Sequence, residues 1–320
     1  MQRVLLVKTS SLGDVVHNLP VVSDVAAAFP GVVIDWVVEE AFAAIPRMHP
    51  GIRRVRPVAL RRWRRAPWSA AVRSEWRGFT TALRSERYDA VIDTQGLFKS
   101  ALLAHQAHGP KHGLDWASSR EPLRWFYDRT YRVPWGQHAV ARNRSLAAQA
   151  LGYATAPAVD YGLRAPAMAA VWTPPASNYV LLLHATSAER KLWPEAHWRD
   201  LGAQLAARGL IAVLPWGSPA ELQRSERLAE GIPGAAIPPR LDLDPLATLV
   251  TGARAVIGAD TGLTHLAGAL GVPTAGVYCA TDPAATGLYG CARAANLGGI
   301  GRPPAPAAVM AALESLWSAR

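Results

Sequence analysis

The chain of 320 residues is 50% hydrophobic and 18% charged, which excludes a disordered protein and suits two α/β domains of about 150 residues each. Its net charge of +10 is concentrated in residues 1–160, where 22 Lys and Arg face 13 Asp and Glu, against 12 and 11 in residues 161–320. The two cysteines, Cys279 and Cys291, lie outside any CxxC pair, so they favour a reducing compartment without a metal framework. No signal peptide or membrane-spanning segment is expected, because Met1-Gln2-Arg3 leads directly into a strand and the long uncharged stretches contain proline.

The first half begins with alternating strand and helix signals. Buried strands are predicted over residues 4–8, 32–38 and 89–93, with a helix over 15–29 that ends at Pro30-Gly31. Between the first strand and this helix stands the segment Lys8-Thr9-Ser10-Ser11-Leu12-Gly13-Asp14, which predicts a glycine-containing turn. Asp14 has two open interpretations: it caps the following helix, or it presents a carboxylate as a general base.

An arginine-rich interval follows between Glu40 and Glu75. It contains no acidic residue and nine arginines, namely Arg47, Arg53, Arg54, Arg56, Arg61, Arg62, Arg64, Arg65 and Arg73. A solvated loop usually mixes charges of both signs, so the interval favours a polyanion site over a plain surface loop. Arginine suits bidentate binding of phosphate or carboxylate, and the interleaved Trp63 and Trp68 also suit a membrane surface.

The second half shows the clearer alternation of strands and helices. Residues 154–177 are rich in Ala and Pro, and we expect domains over 1–160 and 178–320 with a linker at 161–177. Strands are predicted over 179–184, 210–214, 254–259 and 273–278, and helices over 193–207, 219–230 and 261–270. This alternation predicts α/β domains with parallel, doubly wound sheets.

The segment Asp260-Thr261-Gly262-Leu263-Thr264-His265 directly follows one of these predicted strands. A helix that begins there would aim free N–H groups and the positive end of its dipole at an anion such as a diphosphate. The alternative is an ordinary capped helix with a core histidine, but a turn at the carboxyl end of a strand favours a ligand.

Motifs of other nucleotide-binding classes are missing from the sequence. No GxGxxG follows a strand and no GxxxxGK[ST] occurs, which weakens the interpretations as a nicotinamide oxidoreductase or a P-loop kinase. Asp242-Leu243-Asp244 has the form of a metal-binding DxD, but Asp244 followed by Pro245 predicts the N-cap of a helix over 246–252. We therefore expect no metal site.

Segments along nearly the whole chain resemble the ADP-heptose:lipopolysaccharide heptosyltransferases. The motif at 260–265 marks the wider family, whereas the segments 8–14, 61–64 and 95–97 resemble the enzymes that add the first heptose rather than the second. The segments that carry the resemblance are Lys8 to Asp14, Asp35-Trp36-Val37-Val38-Glu39-Glu40, Arg61-Arg62-Trp63-Arg64, Asp93-Thr94-Gln95-Gly96-Leu97-Phe98-Lys99-Ser100, Lys111-His112-Gly113-Leu114-Asp115-Trp116, His184-Ala185-Thr186, Lys191-Leu192-Trp193-Pro194, Leu214-Pro215-Trp216-Gly217 and Asp260 to His265.

The resemblance implies a GT-B fold, in which two Rossmann-like domains face each other across a cleft. The acceptor would bind to the first domain and the nucleotide sugar to the second, and a final helix at about 305–317 would pack back on the first. The implied reaction transfers L-glycero-D-manno-heptose from ADP-heptose to the first Kdo of Kdo2-lipid A, in the synthesis of the lipopolysaccharide inner core. It inverts the anomeric centre and uses neither a metal nor another cofactor.

The resemblance also implies roles for individual residues. Asp14 would be the general base, and Lys191 would stabilise the charge of the leaving diphosphate in place of a metal. The donor-binding residues would be Thr186, Ser187, Lys191, Glu221 (on the ribose hydroxyls), Asp260, Thr261, Gly262, Leu263 and His265. The acceptor-binding residues would be Ser10, Gly13, Arg61, Arg62, Arg64, Arg65, Lys99, Arg120 and His138, although His138 also fits an ordinary surface histidine.

Two alternatives remain open. The same fold would serve a second heptosyltransferase or a related ADP-heptose transferase with another acceptor, although the segment 61–64 argues against this. The high charge and the Arg–Trp segment would also suit a nucleic-acid-binding protein, but the nearly neutral second half does not fit that class. On the preferred interpretation the enzyme is cytoplasmic, contacts the anionic surface of the inner membrane and binds no nucleic acid.

Overall fold

The computed structural model describes residues 1–166 and 170–318, which belong to two compact units, Met1–Arg164 and Ala165–Arg320. Residues 167–169 of the expected linker lie outside the described residues, as do residues 319 and 320. The division falls inside the expected linker at 161–177, after residue 164 instead of residue 160.

The first unit contains a parallel sheet, which in the described residues has six strands in the order β3-β2-β1-β4-β5-β6. All strand carboxyl ends therefore lie at one edge, and the chain order reverses around β1, which pairs with both β2 and β4. The strands are β1 Arg3–Val7, β2 Val33–Glu39, β3 Ile52–Val58, β4 Ala90–Asp93, β5 Lys111–Leu114 and β6 Arg129–Tyr131. The helices are α1 Leu12–Val16, α2 Leu19–Ala28, α3 Ala44–Arg47, α4 Leu60–Trp63, α5 Ala70–Arg84, α6 Phe98–His105 and α7 Ala139–Leu151, with 3₁₀ turns at Glu40–Phe42 and Arg124–Phe126.

The second unit contains another parallel sheet, with five described strands in the order β11-β10-β9-β7-β8. Here the chain order reverses between β7 and β9, which pair directly. The strands are β7 Tyr179–Leu183, β8 Ile211–Val213, β9 Ala255–Ala259, β10 Thr274–Tyr278 and β11 Ala294–Gly298. The helices are α8 Glu195–Ala206, α9 Pro219–Ala229, α10 Leu243–Gly252, α11 Gly262–Ala269, α12 Pro283–Thr286 and α13 Pro306–Ser318, with a 3₁₀ turn at Glu189–Lys191.

The helix expected over 15–29 forms as two helices, α1 and α2, separated by His17 and Asn18. Pro20 lies in the first turn of α2, a position that proline tolerates because its missing N–H has no partner there. The chain starts a new helix at Leu19, so α1 is a short helix of five residues with Asp14 in its first turn.

The central strands are buried on both faces, which explains their continuous apolar sequence. Val4, Leu5, Leu6 and Val7 of β1 are each 0% exposed. No helix among the described residues has the length and apolar character that a membrane crossing requires.

The last helix, α13, buries its apolar face in the core of the second unit. Val309, Met310 and Leu313 belong to the same buried cluster as Trp193 and Trp198, and α13 contacts α8, β10 and β11. Its buried side chains cover the sheet of its own unit and complete that core. The expectation that this helix also packs back on the first unit stays a prediction.

Candidate functional site

Asp14 lies at the carboxyl edge of the first sheet, in the loop and helix that follow the central strand β1. Ser11 is the N-cap of α1 and Asp14 stands in its first turn. Among the described residues, Asp14 accepts hydrogen bonds from Ser11 alone: its Oδ2 receives the N–H at 2.7 Å and the hydroxyl at 3.0 Å. Asp14 is therefore not the N-cap of a helix at 15–29, but a half-buried carboxylate held at the point where the chain order reverses.

The turn before Asp14 is held by a residue of the loop that follows the adjacent strand β4. The Gln95 Oε1 accepts hydrogen bonds from the N–H groups of Thr9 at 3.0 Å and Ser10 at 3.1 Å. Gln95 is held in turn by Asp93, whose Oδ1 accepts the Gln95 N–H at 2.8 Å. The structure thus gives Gln95 a positioning role that its place in the sequence did not reveal.

Asp93 is itself fixed by an aromatic side chain that packs across the sheet. The Tyr127 hydroxyl donates to its Oδ2 at 2.8 Å, and a Cβ at Gly113 would lie 2.3 Å from the Tyr127 ring. Glycine at 113 therefore makes the close approach of the ring feasible. Burial raises the pKa of the Asp93 carboxyl above its usual value.

Lys8 provides a buried positive charge beneath the same loop. Its Nζ donates to the Thr94 carbonyl at 2.8 Å and contacts the Asn143 Oδ1 at 3.4 Å. Burial lowers the pKa of the Lys8 ammonium, while the negative charges of Asp14 and Asp93 act in the opposite direction. Sequence reasoning missed Lys8 because a lysine at a strand end usually points to solvent.

Four of the predicted acceptor residues line one cavity of about 420 Å³ in the first unit. Lys99 reaches Ser10 directly, with its Nζ 2.6 Å from the Ser10 hydroxyl, and burial lowers the pKa of Lys99. Arg61 and Arg64 bring two further positive charges to this cavity. Its lining consists of Ser10, Glu39, Leu60, Arg61, Arg64, Trp76, Lys99, Leu102 and Leu103.

The arginine-rich interval divides into paired and unpaired side chains. Arg53, Arg54 and Arg56 belong to β3 and form ion pairs with Asp35 and Glu86. These acids are remote in sequence, so the apparent lack of counter-charge was misleading for this part.

Arg62 is also paired, at 3.0 Å with Glu40 and 2.8 Å with Glu75. The charge of Arg62 is therefore balanced by two carboxylates, unlike the charges of the other arginines of the predicted acceptor site. In the described part of the chain, Arg61, Arg64 and Arg65 form no ion pair. The guanidinium carbon Cζ of Arg61 lies over the Phe42 ring, 5.1 Å from its centre.

The other predicted acceptor residues lie outside this cavity lining. His138 is buried and caps α7, where its Nδ1 accepts the Val140 N–H at 3.1 Å, and its ring is 5.3 Å from that of His17. It is thus not the surface histidine of the alternative interpretation. Gly13 lies in the first turn of α1, and Arg120 is exposed in the loop after β5.

In the second unit, the predicted donor residues other than Glu221 lie after the ends of β7 and β9. The Thr186 hydroxyl donates to the Asp260 carbonyl at 2.9 Å and so joins the two loops across the point where the chain order reverses. Ligands of open α/β sheets bind at such points. Ser187 follows in the same loop and is exposed.

Asp260 forms the centre of a buried polar cluster. Its Oδ2 lies 2.7 Å from the Lys191 Nζ and accepts the Thr281 hydroxyl at 2.7 Å, while its Oδ1 is 3.7 Å from the His265 Nε2. Burial by itself would raise the pKa of Asp260, but these three partners outweigh it and hold the pKa well below its usual value. Asp260 therefore stays ionised and fixes Lys191 and His265.

The helix α11 begins beside this cluster, with Thr261 as its N-cap. No acceptor from the described residues engages the N–H groups of Gly262 and Leu263, which leaves both for a ligand. The Thr264 hydroxyl donates to the Ala259 carbonyl at 2.7 Å, and a Cβ at Gly258 would lie 2.0 Å from that hydroxyl oxygen. Glycine at 258 thus allows the first turn of α11 to lie against its own strand.

Glu221 lies in the first turn of α9, where its Oε2 accepts the Gly217 N–H at 2.7 Å. The Ser218 hydroxyl accepts the Glu221 N–H at 3.3 Å, which completes the start of this helix. The capping arrangement presents the Glu221 carboxylate at the carboxyl side of β8, next to β7.

The sequence Asp242-Leu243-Asp244 begins the helix α10, with Asp242 as the N-cap and Asp244 in the first turn. The prediction of Asp244 as N-cap is therefore wrong, because the helix already starts at Leu243 and Pro245 fits within its first turn. In residues 1–166 and 170–318, no group of three His, Cys, Asp or Glu side chains is arranged to hold a metal ion.

Two units with parallel, doubly wound α/β sheets are the architecture of the GT-B class of glycosyltransferases. A family model, glycosyltransferase family 9 (heptosyltransferase), matches residues 76–316. The chain belongs to this family, and the expected fold class and enzyme class are confirmed.

Known proteins similar to this chain carry more specific names. Lipopolysaccharide heptosyltransferase 1 of Pseudomonas aeruginosa is 52% identical over 291 residues, which are 90% of this chain and 81% of that protein. The protein of the same name from Escherichia coli K12 is 48% identical, over 90% of this chain and 91% of its own length. Among solved structures, E. coli heptosyltransferase WaaC with ADP has a TM-score of 0.89 at 44% identity, covering 98% of this chain and all of that one.

Proposed function

We propose that the enzyme transfers L-glycero-D-manno-heptose from ADP-heptose to the first Kdo of Kdo2-lipid A, with inversion and without a metal. The names of the similar proteins support the reaction, and WaaC has been solved with ADP and with ADP-2-deoxy-2-fluoro heptose. The observation that carries the choice of acceptor is the cavity of Ser10, Arg61, Arg64 and Lys99, because its cationic groups match an acceptor with carboxylates and phosphates.

Asp14 acts as the general base in this proposal. It accepts the proton of the Kdo 5-hydroxyl while that oxygen forms a bond to the anomeric carbon of the heptose. The bond from this carbon to the β-phosphate oxygen breaks at the same time, and ADP leaves from the opposite face, which inverts the centre. The hydrogen bonds from Ser11 support this role because they orient the carboxylate.

Lys191 and the start of α11 bind the diphosphate. The Lys191 ammonium, the N–H groups of Thr261, Gly262 and Leu263, and the helix dipole neutralise the charge that grows on the leaving β-phosphate. Asp260 holds Lys191 and His265 in place, as the short contacts within the cluster support. The hydroxyls of Thr186 and Ser187 add hydrogen bonds to the phosphates, and Glu221 accepts those of the ribose.

The acceptor side uses Ser10, Gly13, Lys99, Arg120 and His138 together with the arginines of α4 and its following loop. We assign more of the binding to Arg61, Arg64 and Arg65 than to Arg62, because Arg62 is already paired. Trp68 in the same loop is 85% exposed, which supports peripheral contact with the anionic cytoplasmic face of the inner membrane. The enzyme would then work in the cytoplasm on a lipid-embedded acceptor.

One assay tests the reaction and its acceptor. ADP release is measured with ADP-heptose and Kdo2-lipid A, in parallel with the same acceptor already carrying one heptose. The proposal expects turnover with the first acceptor and little with the second. Preference for the heptose-bearing acceptor would instead assign the enzyme to the second transfer, and turnover with neither would refute both.

A further inference from the structure

A second cavity, of about 290 Å³, lies between α4 and α5 in the first unit. It shares the lining residues Leu60, Arg64 and Trp76 with the cationic cavity described above, so the two cavities are adjacent. Nothing in the reaction as proposed occupies it. Its lining consists of Leu60, Trp63, Arg64, Pro67, Val72, Arg73 and Trp76.

The surface of this second cavity is apolar apart from the two arginines. The indoles of Trp63 and Trp76 meet edge to face with their ring centres 6.0 Å apart. The Trp63 Nε1, the polar atom of that ring, donates to Glu75 at 2.7 Å, which leaves carbon atoms toward the cavity. Val72 and Leu60 are half-buried and complete an apolar wall.

The two arginines of this cavity, Arg64 and Arg73, make different contacts. Arg73 donates to the carbonyl of Trp68 and so helps to hold the loop between α4 and α5. Arg64 forms no ion pair with the described residues and lines both cavities, so its charge stands where the cationic and apolar surfaces meet. A ligand that fits both surfaces carries a negative group next to a hydrocarbon chain.

We propose that this apolar cavity binds part of an acyl chain of the anionic lipid acceptor while Arg64 binds its nearest phosphate or carboxylate. The inference rests on the proposed function, which supplies an acceptor that has both parts. A volume of about 290 Å³ is at the lower limit of the roughly 300–1,000 Å³ typical of pockets for compact ligands, and it suits a short length of chain. The site would thus select an acceptor that is still acylated.

Alkyl phosphates of increasing length test the site without the reaction. Binding of butyl, hexyl, octyl and decyl phosphate, each below its critical micelle concentration, is followed by the intrinsic fluorescence of the wild-type protein. Each buried methylene should strengthen binding by up to about fourfold until the cavity is full. An affinity that does not increase with chain length would overturn the proposal.

Two matched variants locate the chain on the protein. Val72→Phe fills the apolar cavity without touching the cationic one, and Ala71→Phe adds the same ring at an exposed position that lines neither cavity. We expect Val72→Phe to weaken decyl phosphate binding about tenfold and to leave butyl phosphate binding unchanged, with no effect of Ala71→Phe. Equal behaviour of the two variants would place the chain elsewhere.

Transfer assays then separate this inference from the proposed function. With Kdo2-lipid A and its deacylated form, Val72→Phe should lower kcat/KM about tenfold for the acylated acceptor alone. If both acceptors are used and Val72→Phe changes neither, the acyl site is wrong and the proposed function stands. If the wild-type enzyme uses neither acceptor, the proposed function fails, whatever the alkyl phosphates show.

Discussion

Asp14 and Asp260 both follow a buried strand at the carboxyl edge of a parallel sheet, yet the two units treat these carboxylates differently. Asp260 is buried, contacts Lys191, Thr281 and His265, and has a pKa held well below its usual value. Asp14 is half-buried and is oriented by hydrogen bonds from Ser11, the N-cap residue of the same helix α1. The same strand–turn–helix unit thus holds a tightly paired carboxylate in one case and a more accessible one, our proposed base, in the other, depending on what the neighbouring strands contribute.

The largest effect is expected from removing the proposed base. Asp14→Asn retains the size of the side chain but cannot accept a proton at the reacting oxygen, so kcat should fall by roughly 10²–10⁴ with little change in donor affinity. Ser11→Ala is the matched control, because it removes one hydrogen bond and keeps the carboxylate. Near-normal turnover of purified Asp14→Asn would refute the assignment.

Loss of Lys191 should be nearly as severe, through a different step. Lys191→Ala removes a positive charge from the proposed diphosphate site and leaves Asp260 without the lysine of its ion pair, so kcat should fall by roughly 10²–10³. Lys191→Arg should recover part of the loss, because it restores the charge with different geometry. Steady-state rates at saturating ADP-heptose decide the matter, and an unaffected Lys191→Ala enzyme would remove Lys191 from the mechanism.

The arginines of the first unit should separate into two groups. Arg64→Gln should raise the acceptor KM by about tenfold at low ionic strength and by less at high salt, where screening already weakens exposed charges. The double variant Arg62→Gln/Glu75→Gln removes one charge of each sign from a cluster that also contains Glu40, so the net charge is unchanged and the acceptor KM should barely change. Equal effects of the two variants would contradict the distinction between paired and unpaired arginines.

The smallest effect is a change in acid stability. A carboxyl whose folded-state pKa is depressed adds stability above its unfolded pKa, near 3.8 for Asp260, and this stability is lost as the pH falls below that value. Asp260→Asn should therefore lower the free energy of unfolding at pH 7, and its difference from the wild type should shrink below about pH 4. Urea titrations at pH 7 and pH 3 measure this, and a constant difference would mean that Asp260 titrates normally.

The sequence was sufficient for the fold class and for the turns that carry both aspartates. Apolar runs predicted β1, β2, β4, β7, β9 and β10 closely, since these strands are buried on both faces. The strand β3 was not predicted, because Arg53, Arg54 and Arg56 were counted in the arginine-rich interval that favoured a polyanion site. Their partners, Asp35 on β2 and Glu86, come close only in the folded chain.

The supports of the candidate site were beyond sequence reasoning for a similar reason. Gln95 holds the turn at Thr9 and Ser10 across 86 and 85 residues of sequence, and Lys8 contacts Asn143 across 135. Hydrogen bonds between residues so far apart along the chain produce no periodic pattern in the sequence. Local patterns therefore located the candidate reactive residues, whereas the residues that position them emerged from the order of the strands in the sheet.

The contrast between the two aspartates is tested most directly by amide hydrogen exchange at Thr261, Gly262 and Leu263, with and without saturating ADP-heptose. In the wild type and in Asp14→Asn, the donor should slow exchange at these amides to the same extent, although the variant hardly turns over. In Asp260→Asn, the protection should be much weaker, because Lys191 and His265 lose their anchor. Protection that disappears in Asp14→Asn, or persists unchanged in Asp260→Asn, would contradict this division between base and anchor.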